Sequence, residues 1–121
     1  MKVFFDGGCR PNPGPIEVAV VAAGRTHIRR DLGAGTNGDA EWLALIEALR
    51  IAQSLDTADV VLLGDALAVI GVANGTRKPR GAAIAHLATF RALAGNTKPR
   101  IRHVGRAQNL AGIALARLHP R

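Results

Sequence analysis

The spacing of apolar residues changes along the chain and divides it into a strand-rich beginning and a remainder with both strands and helices. Apolar or alternating runs at residues 2–5, 17–22 and 26–31 predict three strands. Gly24 permits the turn of an antiparallel hairpin between the last two. From residue 39 to residue 54 the apolar residues recur at helical spacing instead, which predicts the first helix.

The first two strands are separated by residues 6–15, whose glycines and prolines predict a tight loop. After the first helix, the continuous apolar run at residues 58–63 predicts a strand covered on both faces. Beyond it strands and helices alternate. This order predicts one domain over residues 1–121 with an α/β fold, a five-stranded mixed sheet flanked by helices. The remaining predicted elements are a helix at 66–73, a basic loop at 75–80, a helix at 81–94, a strand at 100–104 and a helix at 107–118.

Composition limits the classes of function. Hydrophobic residues make up 48% of the 121 residues but aromatic residues only 3%, so we do not expect aromatic platforms that stack single-stranded bases. The single cysteine, Cys9, excludes an internal disulfide and fits a reducing compartment, and we expect the cytoplasm. The first residues reach a charge at once, without a signal-peptide core or a membrane span, so we expect no membrane association.

Charge is distributed unevenly along the chain. The formal net charge is +7, and all 9 acids lie at or before Asp65. A basic surface is typical of nucleic-acid binding, and a solvated basic face without a partner is the alternative. We favour nucleic-acid binding. The basic residues that follow Asp65 are Arg77, Lys78, Arg80, Arg91, Lys98, Arg100, Arg102, Arg106, Arg117 and Arg121.

Three acids occupy separate positions: Asp6 after the first apolar run, Glu41 in the first helical turn and Asp65 after the fourth predicted strand. Each has a simple structural explanation, as a turn residue, a charge favoured by the helix dipole or a helix N-cap. Thr36 and Asp39 form a candidate capping pair before the same helix. Because functional groups in an open sheet gather at strand ends and helix starts, the three acids together indicate a metal site.

Four segments of the sequence resemble the ribonuclease H family. Residues 6–15 are similar to its first-strand motif, an acid and glycines followed by Asn-Pro-Gly. Residues 36–41 are similar to its Thr-Asn-Asn-x-x-Glu motif, with Gly38 in place of the second Asn. Residues 63–70 are similar to its strand-end Asp-Ser-Gln segment, with Ala and Leu in place of Ser and Gln, and residues 101–116 are similar to a His-Val-x-Arg-x-x-Asn-x-x-Ala-Asp-x-Leu-Ala pattern. The resemblance implies a ribonuclease H-like fold, with three antiparallel strands and then two parallel ones.

The resemblance also implies an activity, the hydrolysis of the RNA strand of an RNA/DNA hybrid duplex with two divalent cations. Mg²⁺ is the implied cofactor, and Mn²⁺ is its substitute. Asp6, Glu41 and Asp65 are the implied catalytic and metal-binding acids, in agreement with the preference of hard cations for oxygen ligands. We expect the protein to act on the hybrid as a monomer.

Further residues match the family outside the acids. Asn12, Thr36 and Asn37 match positions that contact the sugars and phosphates of the hybrid, where a 2′-hydroxyl can be recognised. Turn formation and helix capping are the alternatives for these three. His103 matches, by its offset from Asn109, a mobile catalytic histidine that helps the product leave. An inert residue at a strand end is the alternative for His103, and the His-Val pattern slightly favours it.

The family pattern has a fourth acid four residues after Asn109, and this position is Ile113. Isoleucine cannot ligate a metal, and no acid follows Asp65 to replace it. The sequence therefore predicts either an enzyme with weakened binding of the second ion or a catalytically silent domain that binds nucleic acid. A third alternative keeps the fold and changes the substrate, as in other nucleases and integrases. The Asn-Pro-Gly and Thr-Asn segments argue against it.

Overall fold

The computed structural model describes residues 1–55 and 57–120. The strands within them are β1 (Lys2–Cys9), β2 (Gly14–Ala22), β3 (Arg25–Arg29), β4 (Ala34–Gly35), β5 (Val61–Gly64) and β6 (Arg100–His103). The helices are α1 (Asn37–Ser54), α2 (Leu67–Ala73), α3 (Ala83–Ala94) and α4 (Leu110–Ala116), with a 3₁₀ turn at Arg106–Gln108. Among these described residues, no helix is long and apolar enough to span a membrane.

The strands form a mixed sheet in the order β3-β2-β1-β5-β6. The pairs β1–β2 and β2–β3 are antiparallel, whereas the pairs β1–β5 and β5–β6 are parallel. This topology confirms the predicted α/β fold, with three antiparallel strands and then two parallel ones. The sequence pattern does not predict the short β4, which pairs with the start of β2 outside this path.

The first strand is longer than predicted, because residues 6–9 continue β1 instead of starting a loop. They pair in antiparallel register with residues 16–19 of β2. The loop prediction was wrong here because glycines carry no side-chain signal of a strand, while their backbone groups still form ladder hydrogen bonds. Asp6 therefore lies inside a strand rather than at its end, and Cys9 is buried at the last position of β1.

Two later elements begin three residues after their predicted starts. β5 begins at Val61 rather than at residue 58, since its pairing with β1 begins opposite Lys2. α4 begins at Leu110 rather than at residue 107, because the side chain of Asn109 caps it by accepting a hydrogen bond from the N–H of Ala111. The helix is consequently short, and the 3₁₀ turn occupies the residues before it.

The side chains of β1 alternate between the two faces of the sheet. Val3 and Phe5 are buried on the face covered by α1, α2 and α3, which holds the larger apolar core and which we call the α1 face. Phe4 and Asp6 lie on the opposite face, where α4 packs in a smaller cluster with Ala19. We call this the α4 face. The sheet is therefore covered on both sides, and Asp6 lies under α4.

The first turn of α1 lies directly against β1. The Oγ1 of Thr36 accepts a hydrogen bond from the N–H of Asp39 at 3.1 Å, and the Asp39 carboxylate accepts one from the N–H of Thr36 at 3.0 Å. This confirms the predicted capping pair. A Cβ on Gly7 would overlap the carbonyl oxygen of Ala40, so the approach requires glycine at position 7. The contact places the next residue, Glu41, beside β1.

We predict that Gly7→Ala destabilises the protein by about 2 kcal/mol or more, because the new methyl group must displace the backbone of α1. Gly8→Ala is the matched control, since its Cβ would approach no closer than 3.7 Å, to the Oδ1 of Asn37. For this control we expect a change within about 0.5 kcal/mol. Denaturant unfolding followed by circular dichroism measures both variants. Equal stabilities would contradict the close contact between α1 and β1.

Candidate active site

Four carboxylates line one cavity of about 490 Å³, and three of them are the acids that the sequence singles out. Asp6 comes from β1, Glu41 from the beginning of α1, and Asp65 from the residue that follows β5. The structure thus brings together the three acids that the sequence places far apart. Because each acid belongs to a different element, the arrangement depends on the tertiary fold rather than on any local segment.

The start of α1, which carries Glu41, is fixed from α3 as well as from β1. The Nε2 of His86 lies 2.8 Å from the Oδ1 of Asp39, in the first turn of α1. The ring of His86 also stacks on Trp42, with the ring centroids 6.1 Å apart. These contacts tie the two helices together next to Glu41 and hold its backbone in place.

Helix α4 forms the wall of the cavity above Asp6. A Cβ on Gly112 would lie 3.3 Å from the Oδ2 of Asp6, so the glycine leaves room for the carboxylate beneath the helix. The next residue, Ile113, lines the same cavity and is 39% exposed. The position at which the family pattern has an acid therefore does face the site, and an apolar side chain occupies it.

Asp65 is oriented by Asn109, a residue that enters the sequence patterns only as a motif position. The side chain of Asn109 is fully buried, and its Nδ2 donates to the Phe5 carbonyl at 3.0 Å and to the Oδ2 of Asp65 at 3.2 Å. Its Oδ1 accepts the hydrogen bond that caps α4, from Ala111 at 3.1 Å. One amide thus connects β1, the carboxylate after β5 and the start of α4. The only local sequence signal for this role is an Asn at a helix start. That signal predicts a helix cap but not the contacts with Phe5 and Asp65.

The cavity raises the pKa of two of the acids, Asp6 and Glu41. Burial raises the pKa of Asp6 most, the charges of Asp65 and Glu41 add to it, and the result is a pKa of about 7 despite opposing effects of the Gly7 backbone and Arg106. Burial and the charge of Asp65 also raise the pKa of Glu41. The cavity therefore carries an excess of negative charge that is costly to bury, which is the electrostatic setting of a cation site.

Arg106 supplies a positive charge that partly offsets the negative charge of these acids. It lies in the 3₁₀ turn before α4, lines the same cavity, and lowers the pKa of both Asp6 and Glu41. The sequence patterns place Arg106 among the basic residues and do not assign it to the site. The signal for it was the Arg of the His-Val-x-Arg pattern.

The donor chemistry of the cavity fits Mg²⁺ or Mn²⁺. Both are hard cations that bind carboxylate oxygens, and the carboxylates of Asp6, Glu41 and Asp65 all line this cavity. Within residues 1–55 and 57–120, however, no three Asp, Glu, His or Cys side chains already stand in metal-ligating geometry. The three carboxylates line the same cavity, but their oxygens do not surround a common point. Cation binding therefore requires side-chain rotation.

The three predicted substrate-binding residues lie together at the start of α1. They differ in which side-chain atoms remain free to bind a substrate. The Oδ1 of Asn37 accepts from the N–H of Cys9 at 3.0 Å, and the Oδ1 of Asn12 accepts from the N–H of Asn37 at 3.1 Å. These backbone donors fix both amides with their oxygens inward, which leaves the Nδ2 groups as donors. The hydroxyl of Thr36 is instead engaged with Asp39. The structure thus supports the capping role of Thr36.

His103 is exposed at the end of β6, where it pairs with Gly64. It does not line the cavity that the described residues form around Asp6. Its position agrees with the strand-end alternative, and its catalytic role stays a prediction.

A second cavity, of about 590 Å³, adjoins the first and shares Glu41 with it. Its wall combines apolar side chains of α1 and α2, including Trp42, with three basic residues from the loop after α2: Arg77, Lys78 and Arg80. Most of the basic residues that follow Asp65 are exposed within the part of the chain that the structure describes. Arg121, the last of that set, lies outside the described residues.

Comparison with known sequences agrees with this geometry. A family model described as reverse transcriptase-like matches residues 18–119. Ribonuclease HI of Halobacterium salinarum is 39% identical over 70 residues, which cover 54% of this chain and 35% of that protein. The chain thus spans about a third of the length of the curated relative that it matches.

Solved structures share the whole fold. RNase H1 from Halobacterium salinarum NRC-1 superposes with a TM-score of 0.81 at 30% identity, covering 94% of this chain and 92% of that one. LC11-RNase H1 in complex with an RNA/DNA hybrid gives 0.75 at 26% identity, covering 94% and 91%. The N-terminal RNase H domain of Rv2228c from Mycobacterium tuberculosis gives 0.75 at 28% identity, covering 94% and 93%.

We predict that Asp6→Asn stabilises the protein when no divalent cation is present. The pKa of Asp6 is about 7 in the folded state, against an ordinary value of 3.8, so ionised Asp6 destabilises the fold at high pH. The gain should be complete above pH 7 and disappear as the pH falls to about 4. We expect a rise in Tm of a few degrees at about pH 8, measured by differential scanning calorimetry in EDTA.

Asp31→Asn is the control for this variant, because Asp31 is exposed and its pKa is lowered by hydrogen bonds and charge from Arg29. Its neutralisation should give no gain in Tm at any pH. A lower Tm for Asp6→Asn than for the wild type above pH 7 would contradict the repulsion among the acids.

Proposed function

Because the chain belongs to the type 1 ribonuclease H family, we propose that it hydrolyses the RNA strand of RNA/DNA hybrid duplexes with divalent cations. The observation that carries this proposal is the convergence of Asp6, Glu41 and Asp65 on one cavity. LC11-RNase H1, which shares the fold, has been crystallised with such a hybrid. The basic residues that line this cavity and the adjoining one supply the charge that a phosphate backbone requires: Arg10, Arg106, Arg77, Lys78 and Arg80.

Asp6, Glu41 and Asp65 are the proposed ligands of Mg²⁺, or of Mn²⁺ in its place. Such ions, when bound, activate a water molecule and stabilise the oxygen that leaves the phosphodiester. Burial and the repulsion from neighbouring acids raise the pKa of Asp6 and Glu41, and both effects favour cation binding, because a cation neutralises the buried negative charge.

The remaining side chains of the cavity orient the acids and the substrate. Asn109 donates a hydrogen bond to the Oδ2 of Asp65, so the other carboxylate oxygen of Asp65 points away from Asn109. Arg106 lines the cavity and donates to phosphate oxygens of the bound strand in our proposal. The inward oxygens of Asn12 and Asn37 leave two Nδ2 donors, which suit the 2′-hydroxyls and phosphates of an RNA strand.

The second strand of the duplex is proposed to lie along the adjoining cavity. Arg77, Lys78 and Arg80 supply positive charge for its phosphates, and Trp42 belongs to the apolar part of the wall. Glu41 borders both cavities, so the two strands would run on either side of α1's first turn. This arrangement accounts for a duplex substrate rather than a single strand.

Ile113 sets the expected strength of the activity. It occupies the cavity wall where the last acid of the family pattern would add ligand oxygens, and its side chain offers none. We therefore propose that the second cation binds weakly. Turnover is then slow and depends on high Mg²⁺ or on Mn²⁺.

We predict that Ile113→Asp increases the rate of hybrid cleavage about tenfold or more at low Mg²⁺, because it completes the ligand set. Leu110→Asp is the matched control: Leu110 is another exposed apolar residue of α4, and it lies outside the described lining of the cavity. The measurement is cleavage of a labelled RNA/DNA hybrid across titrations of Mg²⁺ and Mn²⁺. Double-stranded RNA and double-stranded DNA serve as comparison substrates.

Two results decide between the alternatives. If the native chain cleaves no hybrid under any metal condition while Ile113→Asp does, the native protein is not an enzyme. Cleavage of double-stranded DNA or RNA in preference to the hybrid would instead identify a different nuclease. Equal gains from Leu110→Asp and Ile113→Asp would contradict the role of position 113.

A catalytically silent nucleic-acid-binding domain is the second candidate function. Ile113 at the site and the absence of a ready ligand trio among the described residues favour it. It predicts hybrid binding that weakens steeply with salt and needs no Mg²⁺, without cleavage. For either function we propose a monomer in a reducing compartment such as the cytoplasm.

A further inference from the structure

A second charged cluster lies at the far end of the active-site cavity. Glu17 of β2 is a buried acid that lines this cavity, and its Oε2 accepts a hydrogen bond from the Nε2 of His119 at 2.7 Å. Its Oε1 accepts two hydrogen bonds from Arg30, at 2.7 and 3.1 Å. We call these residues the Glu17 cluster. None of them has a part in the proposed chemistry.

The cluster connects the sheet to the end of α4. Glu17 pairs with Gly8 across β1 and β2, two residues along β1 from Asp6 and on the same face. His119 lies just beyond the last turn of α4 and lines the cavity together with Gly112 and Ile113 of that helix. The hydrogen bond between Glu17 and His119 thus joins the strand next to Asp6 to the helix above it.

Only a small apolar cluster holds α4 in this position. The helix has 7 residues, and its buried members Ala111 and Leu115 pack on Ala19. The side chains of Phe4, Val21, Ala114 and Leu118 join this cluster but are only partly buried, so it contributes less than the larger core on the α1 face. Asn109 anchors the helix start, and the Glu17 cluster is the corresponding polar anchor at its other end.

We propose that Glu17 and His119 are positioning residues for the active site, which hold α4 against the sheet and so place Gly112 and Ile113 over Asp6. This inference rests on the proposed function. Since α4 carries no carboxylate, a bound cation cannot draw this helix toward Asp6, and contacts within the protein must hold it there.

The strength of the cluster agrees with this role. Burial alone would raise the pKa of Glu17, but hydrogen bonds from His119 and Arg30 outweigh burial and lower it. The carboxylate therefore stays ionised and accepts strong, charge-assisted hydrogen bonds. Removal of His119 leaves one oxygen of a buried carboxylate without its donor, which costs more than an exposed pair would.

The test compares His119→Ala, which removes the donor, with His119→Gln, whose amide NH₂ reproduces a donor near the position of Nε2. His27→Ala is the matched control, because His27 lies on β3 opposite Val20, on the α1 face of the sheet. Two readouts are measured on the full chain. One is amide hydrogen exchange of α4, including Ile113 and Arg117. The other is the Mn²⁺ concentration for half-maximal hybrid cleavage.

For His119→Ala we expect exchange in α4 to accelerate roughly tenfold, the effect of losing one charge-assisted hydrogen bond, with no change in α1. We also expect the Mn²⁺ requirement to rise severalfold. His119→Gln should restore both values to near those of the native chain. His27→Ala should leave both unchanged.

Two results would overturn the proposal. One is unchanged exchange in α4 in His119→Ala. The other is faster exchange throughout the chain with an unchanged Mn²⁺ requirement, which indicates only general stability. If the native chain cleaves no hybrid, the proposed enzymatic function fails, and the exchange comparison still decides whether the cluster holds α4 over Asp6.

Discussion

Mutual repulsion among Asp6, Glu41 and Asp65 limits how the surrounding elements can pack. Burial and neighbouring charge raise the pKa of Asp6 to about 7, so the folded state carries an unfavourable electrostatic contribution at this place. The fold tolerates it because other contacts hold the start of α1 against β1 and hold the side chain of Asp65. The glycine at position 7 admits the start of α1, and Asn109 holds Asp65. The elements that carry the acids are therefore in place before any cation binds, and only the side chains must rotate to ligate it.

The sheet and most helices follow from local patterns and were therefore predictable. Because α1 buries one face, apolar residues recur at helical spacing over residues 39–54. Because both faces of β5 are covered, the residues before Asp65 form a continuous apolar run. Residues 6–9 carry no comparable pattern, because two of them are glycines and their strand conformation depends on pairing with β2. Their extension of β1 moved Asp6 from the end of a strand to its interior.

The candidate site was predictable only in its acids. Their motifs are visible in the sequence, as are the strand end before Asp65 and the helix start at Glu41, whereas the residues that support the acids are joined across long distances. Asn109 contacts Asp65 over a separation of 44 residues, and Glu17 contacts His119 over a separation of 102. A hydrogen bond between distant residues leaves no periodic signal in a single sequence, so only the tertiary structure reveals it.

We infer above all that the three acids form one cation centre although Ile113 replaces a fourth. A crystal structure of the protein soaked with Mn²⁺, with the ions located by anomalous scattering, tests this inference at the site itself. We expect an ion bound by Asp6 together with Glu41 or Asp65. A single ion indicates a weakened centre, and two ions indicate that Ile113 is tolerated. No anomalous peak beside Asp6 at saturating Mn²⁺ would contradict a cation centre formed by these acids.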